Sequence, residues 1–371
     1  MISLLEKALE ILNIFYENKY EAYIVGGFVR DYIIGKESND VDICTNATPM
    51  EIKRIFKDVK LPTNEYGSVH LLYKKVRFEI TTYRIEIEYK DNRKPSKIMY
   101  VNDLELDLKR RDFTMNTICM DKNGKIVDKF SSLKDIKNKT IKCVLNADNK
   151  LSEDSLRILR AIRFSTELNF KLDSEIDKAI LKYGYLLENL SFYRKKEELN
   201  KIFLSSNSLI GINLLRKYNL DSYLGINLNK TIVNVNDLIG MWAQVDPSSN
   251  YDFSNNEKNY IIQIKRLIEK KEITNLDLFK NGNYICYIAS KIINNGEEDN
   301  IEERYNKLKI KKISDIEFSI NDIIHILKIK DKKSIKTIID DLVDKILSDN
   351  LINDSDIIKK YLIDTYGIGM L

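Results

Sequence analysis

The stretch IVGGFVRDYIIGKESNDVD, Ile24 to Asp42, constrains this chain more than any other. A short apolar run enters a Gly-Gly turn, a helical pattern carrying Arg30 and Asp31 follows, and Gly35 offers a C-cap. Asp40 and Asp42 then flank Val41. If Val41 lies in a strand, both carboxylates project from one face, about 6 to 7 Å apart. Like charges so placed repel unless a cation sits between them. Mg²⁺ is the obvious candidate, because it takes few carboxylates and completes its shell with water and substrate phosphates. The Gly26-Gly27 turn brings bare N–H groups to a helix start, where they can cradle a phosphate, and Arg30 on the first turn can reach the same group. A metal site that handles phosphate is the first expectation.

A chain of 371 residues exceeds one ordinary domain. Lys+Arg 60 against Asp+Glu 56 is nearly balanced, so the placement of basic residues matters more than the net charge of +4. Cys44, Cys119, Cys143 and Cys286 are widely spaced without a CxxC pair, which suggests neither a zinc site nor a disulfide framework. With only His70 and His325, chemistry that needs a histidine cluster is nearly excluded, an HD-type phosphohydrolase included. No apolar run approaches the roughly 18 residues of a membrane span. The N-terminus reads as an amphipathic helix rather than a signal peptide, so a cytoplasmic protein with no membrane partner is expected.

Apolar residues at Leu4, Leu5, Ala8, Leu9, Ile11 and Leu12 carry a helical period. Thr48-Pro49 opens another helix, with Thr48 as N-cap. SVHLLYKKVRFEITTY, from Ser68 to Tyr83, reads as a hairpin turning near Lys74-Lys75. Glu79 leaves its apolar face there, free to supply a third carboxylate. Residues 84 to about 108 are charged and read as a mobile loop, and Asn123-Gly124 signals a further hairpin. After about residue 150 strand signals fade and helices with short polar breaks take over.

Such carboxylates suit two-metal nucleotidyl transfer, in which Asp40 and Asp42 hold metal, Glu79 completes the side of the attacking hydroxyl, and no histidine base is required. A second constellation, RRDFTMN from Arg110 to Asn116, sets two arginines before an acid, able to pair with a triphosphate and a ribose hydroxyl. A salt bridge at a helix start gives the same pattern. The third, EDSLRILRAIRF from Glu153 to Phe164, places Asp154, Arg157 and Arg160 on one helical arc of about 120°, with Arg163 at its edge. An ordinary amphipathic helix with a solvated basic face would look similar. Cytosine and adenine both show an amino donor beside a ring acceptor, whereas uracil and guanine reverse that order. A fixed Asp154 and Arg157 could therefore accept C and A and reject U and G, which would leave buried polar groups unpaired.

GGFVRD with DVD, RRDFTMN and EDSLRILRAIRF, in that order and spacing, resemble the class II tRNA nucleotidyltransferase and bacterial poly(A) polymerase family of the DNA polymerase beta-like superfamily. The resemblance implies an α+β chain: a nucleotidyltransferase head with a mixed sheet at 1–145, then an all-α neck at 146–205, body at 206–295 and tail at 296–371. It implies that CTP and ATP are used to add CCA to the tRNA 3′ end without a nucleic-acid template, as monomer or homodimer. Gly27, Arg30, Arg111, Asp154, Arg157, Arg160 and Arg163 would contact the nucleotide, Asp112 and Asn116 would lie near the ribose, and Asp40 and Asp42 would bind Mg²⁺. The alternatives are addition of A alone, poly(A) synthesis, and an inactive RNA-binding relative. Residues 84–108 are complete, unlike those of relatives that add only CC, so the final A is expected. Of the basic stretches at 307–312 and 328–336, the second opens a helix whose N-terminus could meet tRNA phosphates, and a solvated charged face accounts for the pattern equally well.

Overall fold

The computed structural model describes residues 3–60, 67–90, 94–297, 299–329 and 331–367. They fall into two units, Met1–Leu228 with Ser248–Tyr251, and Asn229–Pro247 with Asp252–Leu371.

The first unit opens with helix α1 (Leu4–Glu17), whose capping box joins Ser3 and Glu6. Its apolar period buries Ala8, Ile11, Leu12 and Phe15. Strand β1 (Ala22–Val25) runs into helix α2 (Gly27–Ile34), which ends at Gly35 in a left-handed cap. Strand β2 (Asp42–Thr45) and helix α3 (Pro49–Ile55) follow, the latter capped by Thr48 and Glu51. Strand β3 (Val59–Lys60) precedes the hairpin of β4 (Ser68–Tyr73) and β5 (Val76–Thr82). That hairpin turns at Lys74 and Lys75, both at positive φ.

Residues 84 to 108 are not a loop. They form an antiparallel pair, β6 (Arg84–Lys90) with β7 (Lys94–Tyr100), followed by helix α4 (Leu104–Lys109). The alternation Arg84, Ile85, Glu86, Ile87 already has a strand period, hidden by its charge density. Those charges pair with one another: Arg84 Nη2 lies 3.4 Å from Glu86 Oε1, and Arg110 Nη1 lies 3.7 Å from it. Residues 91–93 of this segment lie outside the described residues.

After a 3₁₀ turn at Thr114–Asn116 come β8 (Cys119–Met120), β9 (Ile126–Val127), α5 (Ser132–Lys137) and β10 (Thr140–Ile141). The main sheet has the order β3-β4-β5-β2-β1-β8-β9, and is mixed because β2 pairs with β5 in parallel while its other neighbours are antiparallel. Helices α6 (Ala147–Glu153) and α7 (Leu156–Leu168), strand β11 (Lys171–Leu172, parallel to β10), and helices α8 (Ser174–Tyr183), α9 (Phe192–Leu204), α10 (Ser208–Lys217) and α11 (Asp221–Leu224) complete the unit.

The second unit holds helices α12 (Leu238–Gln244), α13 (Asn255–Lys270), α14 (Asn275–Ile293), α15 (Ile301–Asn306), α16 (Ile320–Leu327), α17 (Lys332–Leu347) and α18 (Ser355–Tyr366). Trp242 is fully buried, edge-on to Phe253 at 5.2 Å. Ile323, Ile338, Leu342, Ile346, Ile358 and Leu362 join α16, α17 and α18 in one core. Of the basic stretches, Lys332 and Lys333 open α17 under an Asp331 N-cap, and Lys330 lies outside the described residues. All four cysteines are buried and free. Among the described residues no helix is long and apolar enough to cross a membrane.

Candidate active site

A cavity of about 510 Å³ opens in the first unit. Gly26, Gly27, Arg30 and Asp42 line it from the sheet side, Arg110, Arg111, Asp112 and Asn116 from the segment after α4, and Asp154, Arg157, Arg160 and Arg163 from the junction of α6 and α7. Chain segments more than a hundred residues apart thus share one space.

Gly26 holds φ +84, a region that other residues enter only with strain, and caps α2 without a side chain. Its N–H donates to Ile118 O at 3.1 Å, which fixes the turn against the start of β8. A Cβ on Gly26 would stand 3.5 Å from Arg111 Nη1, and one on Gly27 would stand 3.6 Å from Arg30 Nη2. Arg30 is buried, its Nε 2.9 Å from Asp31 Oδ1 and its Nη1 donating to Asn116 Oδ1 at 2.8 Å.

Strand β2 begins at Asp42, so Val41 lies just before it rather than within it. Val41 is buried by its own apolar side chain, and Asp40 is exposed outside the ladder. The carboxylate that shares the strand face with Asp42 is Glu79, its register partner across the parallel β2·β5 pair. Both line a second recess together with Arg84, Arg110 and Arg111. Asp42 is open to water yet ringed by protein. That desolvation, followed by the charge of Glu79, pushes its carboxyl up; Asp40 adds to this and Arg111 opposes it. Among the described residues no three His, Cys, Asp or Glu side chains converge to hold a metal by themselves. The donor set nonetheless fits a hard cation that takes two or three carboxylates and draws its remaining ligands from phosphate. Repulsion among Asp40, Asp42 and Glu79 is what such a cation would relieve.

Asp112 is saturated by donors. Arg160 Nε and Nη2 both reach Oδ2 at 2.7 Å, while Phe113 N and Asn116 Nδ2 reach Oδ1 at 2.8 and 3.1 Å. Burial alone would raise this carboxyl, but Arg160 and Asn116 outweigh it and hold it well below the usual range. Arg111 Nη2 lies 3.5 Å from the fully buried Asp107, and its Nε is a buried donor with no protein acceptor, on a side chain that lines the cavity.

EDSLRILRAIRF is not one helix. Asp154 is the C-cap of α6, with φ −141 and ψ 102, and its Oδ1 accepts from Leu156 N at 3.1 Å at the start of α7. An aspartate stabilises such a break by capping the next turn. Nor are the arginines a solvated face: Arg157 and Arg163 are buried. Arg157 Nη1 donates to Lys150 O at 2.9 Å and to Glu153 Oε2 at 3.0 Å, and Arg163 Nε donates to Glu198 Oε2 on α9 at 2.7 Å. Burial pushes the half-buried Asp154 carboxyl up, against the pull of Arg157.

Arg84, Glu86, Phe164 and Arg194 also line the cavity without having been given a role by the sequence, and Arg110 joins Arg111 there as the RRDFTMN pattern expects. Phe164 stands edge-on to Phe113 at 5.9 Å, and the guanidinium carbons of Arg30, Arg160 and Arg163 lie 5.4, 5.3 and 4.0 Å from its ring centre. An aromatic one turn beyond an arginine ladder is a signal for such stacking. Arg194 Nη1, a buried donor without an acceptor, gives no signal in sequence, because it comes from α9. In all, eight arginines face four carboxylates across the lining, a balance that suits a polyanion.

The poly A polymerase head domain matches residues 22–142, the RNA and SrmB binding site of polymerase A matches 169–225, and tRNA nucleotidyltransferase domain 2 matches 249–362. A CCA-adding enzyme of Ligilactobacillus salivarius is 34% identical over 382 residues, spanning 95% of this chain and 95% of its own. The chain belongs to the family of CCA-adding enzymes and poly(A) polymerases. Another family member, the CCA-adding enzyme of Streptococcus uberis, is 37% identical over 75% of this chain and 68% of its own. The solved CCA-adding enzyme of Bacillus stearothermophilus, in complex with CTP, matches 98% of each chain with a TM-score of 0.83 at 25% identity. That of Thermotoga maritima, complexed with tRNA, shares the family fold with a TM-score of 0.70 at 18% identity. Membership in this family implies use of a divalent metal.

Proposed function

We propose that this protein is a CCA-adding enzyme, extending the tRNA 3′ end with CTP and ATP and releasing pyrophosphate. One observation carries the reading: a single arginine-rich cavity holds a phosphate cradle and Asp42 together with Asp154 and Arg157. The relatives from Ligilactobacillus salivarius and Bacillus stearothermophilus, matched over 95% and 98% of their own length, are both named as CCA-adding enzymes.

In this reading the N–H of Gly27 at the start of α2, with Arg30 and Arg111, binds the triphosphate, and the orphan donor at Arg111 Nε supports that role, while the Gly26 N–H is spent on Ile118 O and fixes the turn. Arg160 and Arg163 extend the cationic wall. Asp112 and Asn116, beside the ribose, orient Arg160 and Arg30 through the bonds described. Asp154 accepts from the exocyclic amine of C or A while Arg157 donates to the ring nitrogen. Asp40 and Asp42 hold Mg²⁺, and Glu79 stands beside Asp42 on the side of the attacking hydroxyl. When bound, two such metals would supply a lowered pKa for the 3′-hydroxyl, which gives up its proton to solvent, and neutralisation of the charge on the departing pyrophosphate. A bond forms from the 3′-oxygen to the α-phosphorus, and the bond from that phosphorus to the bridging oxygen breaks.

The head at 1–145 performs the transfer and the neck at 146–205 reads the base, while a helical body at 206–295 leads to the tail at 296–371, which binds tRNA. The setting is cytoplasmic, as monomer or homodimer. The test offers tRNA transcripts that lack CCA, end in C, or end in CC, each with labelled CTP or ATP. Stepwise C, C and A addition is expected. Addition of A alone, only to the CC-ended transcript, would defeat the reading, as would long A tails on other RNA.

A further inference from the structure

Lys150 is a charged side chain left only 6% exposed in the interior of the first unit, and no step described above uses it. It lies on α6, and its Nζ donates to Lys109 O at 2.7 Å. Lys109 ends α4, so the ammonium sits at a helix C-terminus, where unpaired carbonyls and the helix dipole favour a cation. The backbone carbonyl of the same Lys150 accepts from Arg157 Nη1 at 2.9 Å, and Arg157 Nη2 lies 3.5 Å from Arg110 O. Two adjacent carbonyls, those of Lys109 and Arg110, are therefore clasped by Lys150 and Arg157, which are themselves joined. The clasped segment leads directly into Arg111 and Asp112, and Asp112 holds Arg160. One buried lysine thus ties the strap bearing the phosphate-binding arginine to the guanidinium facing the base.

We infer that Lys150 is a positioning residue for base selection, setting where the Arg157 fork lies relative to the rest of the cavity. This rests on the reading of Arg157 as the group that donates to the incoming base. The triphosphate end keeps anchors of its own, at Gly27 and Arg30 on α2, whose backbone is not clasped by Lys150. A shift of the fork should therefore degrade the choice among bases more than transfer itself. Burial, followed by the nearby Arg157, pushes the Lys150 ammonium down to about 8, consistent with a group held in place by geometry at a cost to its charge. The other groups facing it are Glu153, Glu86 and the Cys143 thiol, itself pushed up to about 12 by burial.

The test compares wild type, Lys150→Met and Lys150→Arg in addition of the first nucleotide to a tRNA lacking CCA, with CTP and UTP measured separately. Lys150→Met should lower the CTP-to-UTP ratio of kcat/KM by about tenfold or more, the scale of a misplacement below 1 Å. Lys150→Arg should restore most of that ratio. Equal losses with both nucleotides, or an unchanged ratio in Lys150→Met, would overturn the assignment and leave a purely structural lysine. Should Lys150→Met fail to fold, the pH profile of Lys150→Arg decides. Wild-type selectivity should decline between roughly pH 7 and 9 as the ammonium becomes a weaker neutral donor, whereas a guanidinium stays charged. Nucleobase ionisation is common to both enzymes and cancels, so parallel profiles would defeat the role. A wild type that adds neither C nor A defeats the underlying activity, which separates that failure from failure of Lys150 alone.

Discussion

Asp42 and Glu79 face each other as register partners in the one parallel strand pair of the main sheet among the described residues. Neither the Asp-x-Asp spacing nor the hairpin alone contains that relationship. It arises because β2 and β5 run side by side in one direction, with α3 and the β3-β4 strands between them in sequence. The sheet thus delivers a second carboxylate to the recess that shares Asp42 with the cavity.

Asp42→Ala should abolish addition of every nucleotide, by about a thousandfold or more, the scale seen when one preorganised charged group is removed. Binding of CTP, followed by equilibrium dialysis in EDTA, should survive, because the arginine wall is untouched. Retained transfer in Asp42→Ala would defeat the metal assignment.

Asp154→Ala should spare phosphate binding but blur the choice of base. Discrimination between CTP and UTP should fall by about a hundredfold, because a hydrogen-bonding site loses the partner that rejects the wrong edge. The raised Asp154 carboxyl adds a pH signature. As an acceptor it must be ionised, so wild-type discrimination should decline on the acid side at a pH above the ordinary aspartate value. Single-nucleotide incorporation across pH, compared with Asp154→Asn, checks this.

Asp112→Asn should destabilise the first unit by about 3 kcal/mol, since it leaves Arg160 without its charged partner. The sign of the pH effect follows from the lowered folded-state pKa of Asp112. The stability it contributes is complete above the unfolded value of about 3.9 and is lost as pH falls toward the folded one. Thermal midpoints measured from neutral pH into acid should therefore fall more steeply for wild type than for Asp112→Asn.

Gly26→Ala should cost about 1–3 kcal/mol through its positive φ alone. If the turn presents the Gly27 N–H to the triphosphate as proposed, KM for both CTP and ATP should rise together. A change confined to one nucleotide would place Gly26 in base selection instead.

The glycine-turn side of the cavity was legible as local structure because its signals are local. A Gly-Gly turn before a helix, a Gly35 cap and Thr48-Pro49 each act within a few residues, and each is found where expected. What failed, failed over charge. The alternation at Arg84 to Ile87 was masked by ionic residues that read as solvated, although Glu86 pairs with Arg84 and Arg110. The helical arc through Asp154 assumed an unbroken helix, whereas an aspartate there competes for the next backbone N–H and ends α6. Arg194, contributed by α9, and the clasp at Lys150 depend on tertiary placement, which no periodicity encodes.

Three guanidiniums gathered around Phe164 have one more consequence. The ring offers each of them an electron-rich surface, but it carries no net charge to offset theirs. Their charge is offset instead by carboxylates at the far side of each fork, Asp31 for Arg30, Asp112 for Arg160 and Glu198 for Arg163. Phe164 is therefore the common face on which three ion pairs from α2, the segment after α4 and α9 meet, and cutting the ring back to a small side chain should loosen all three together.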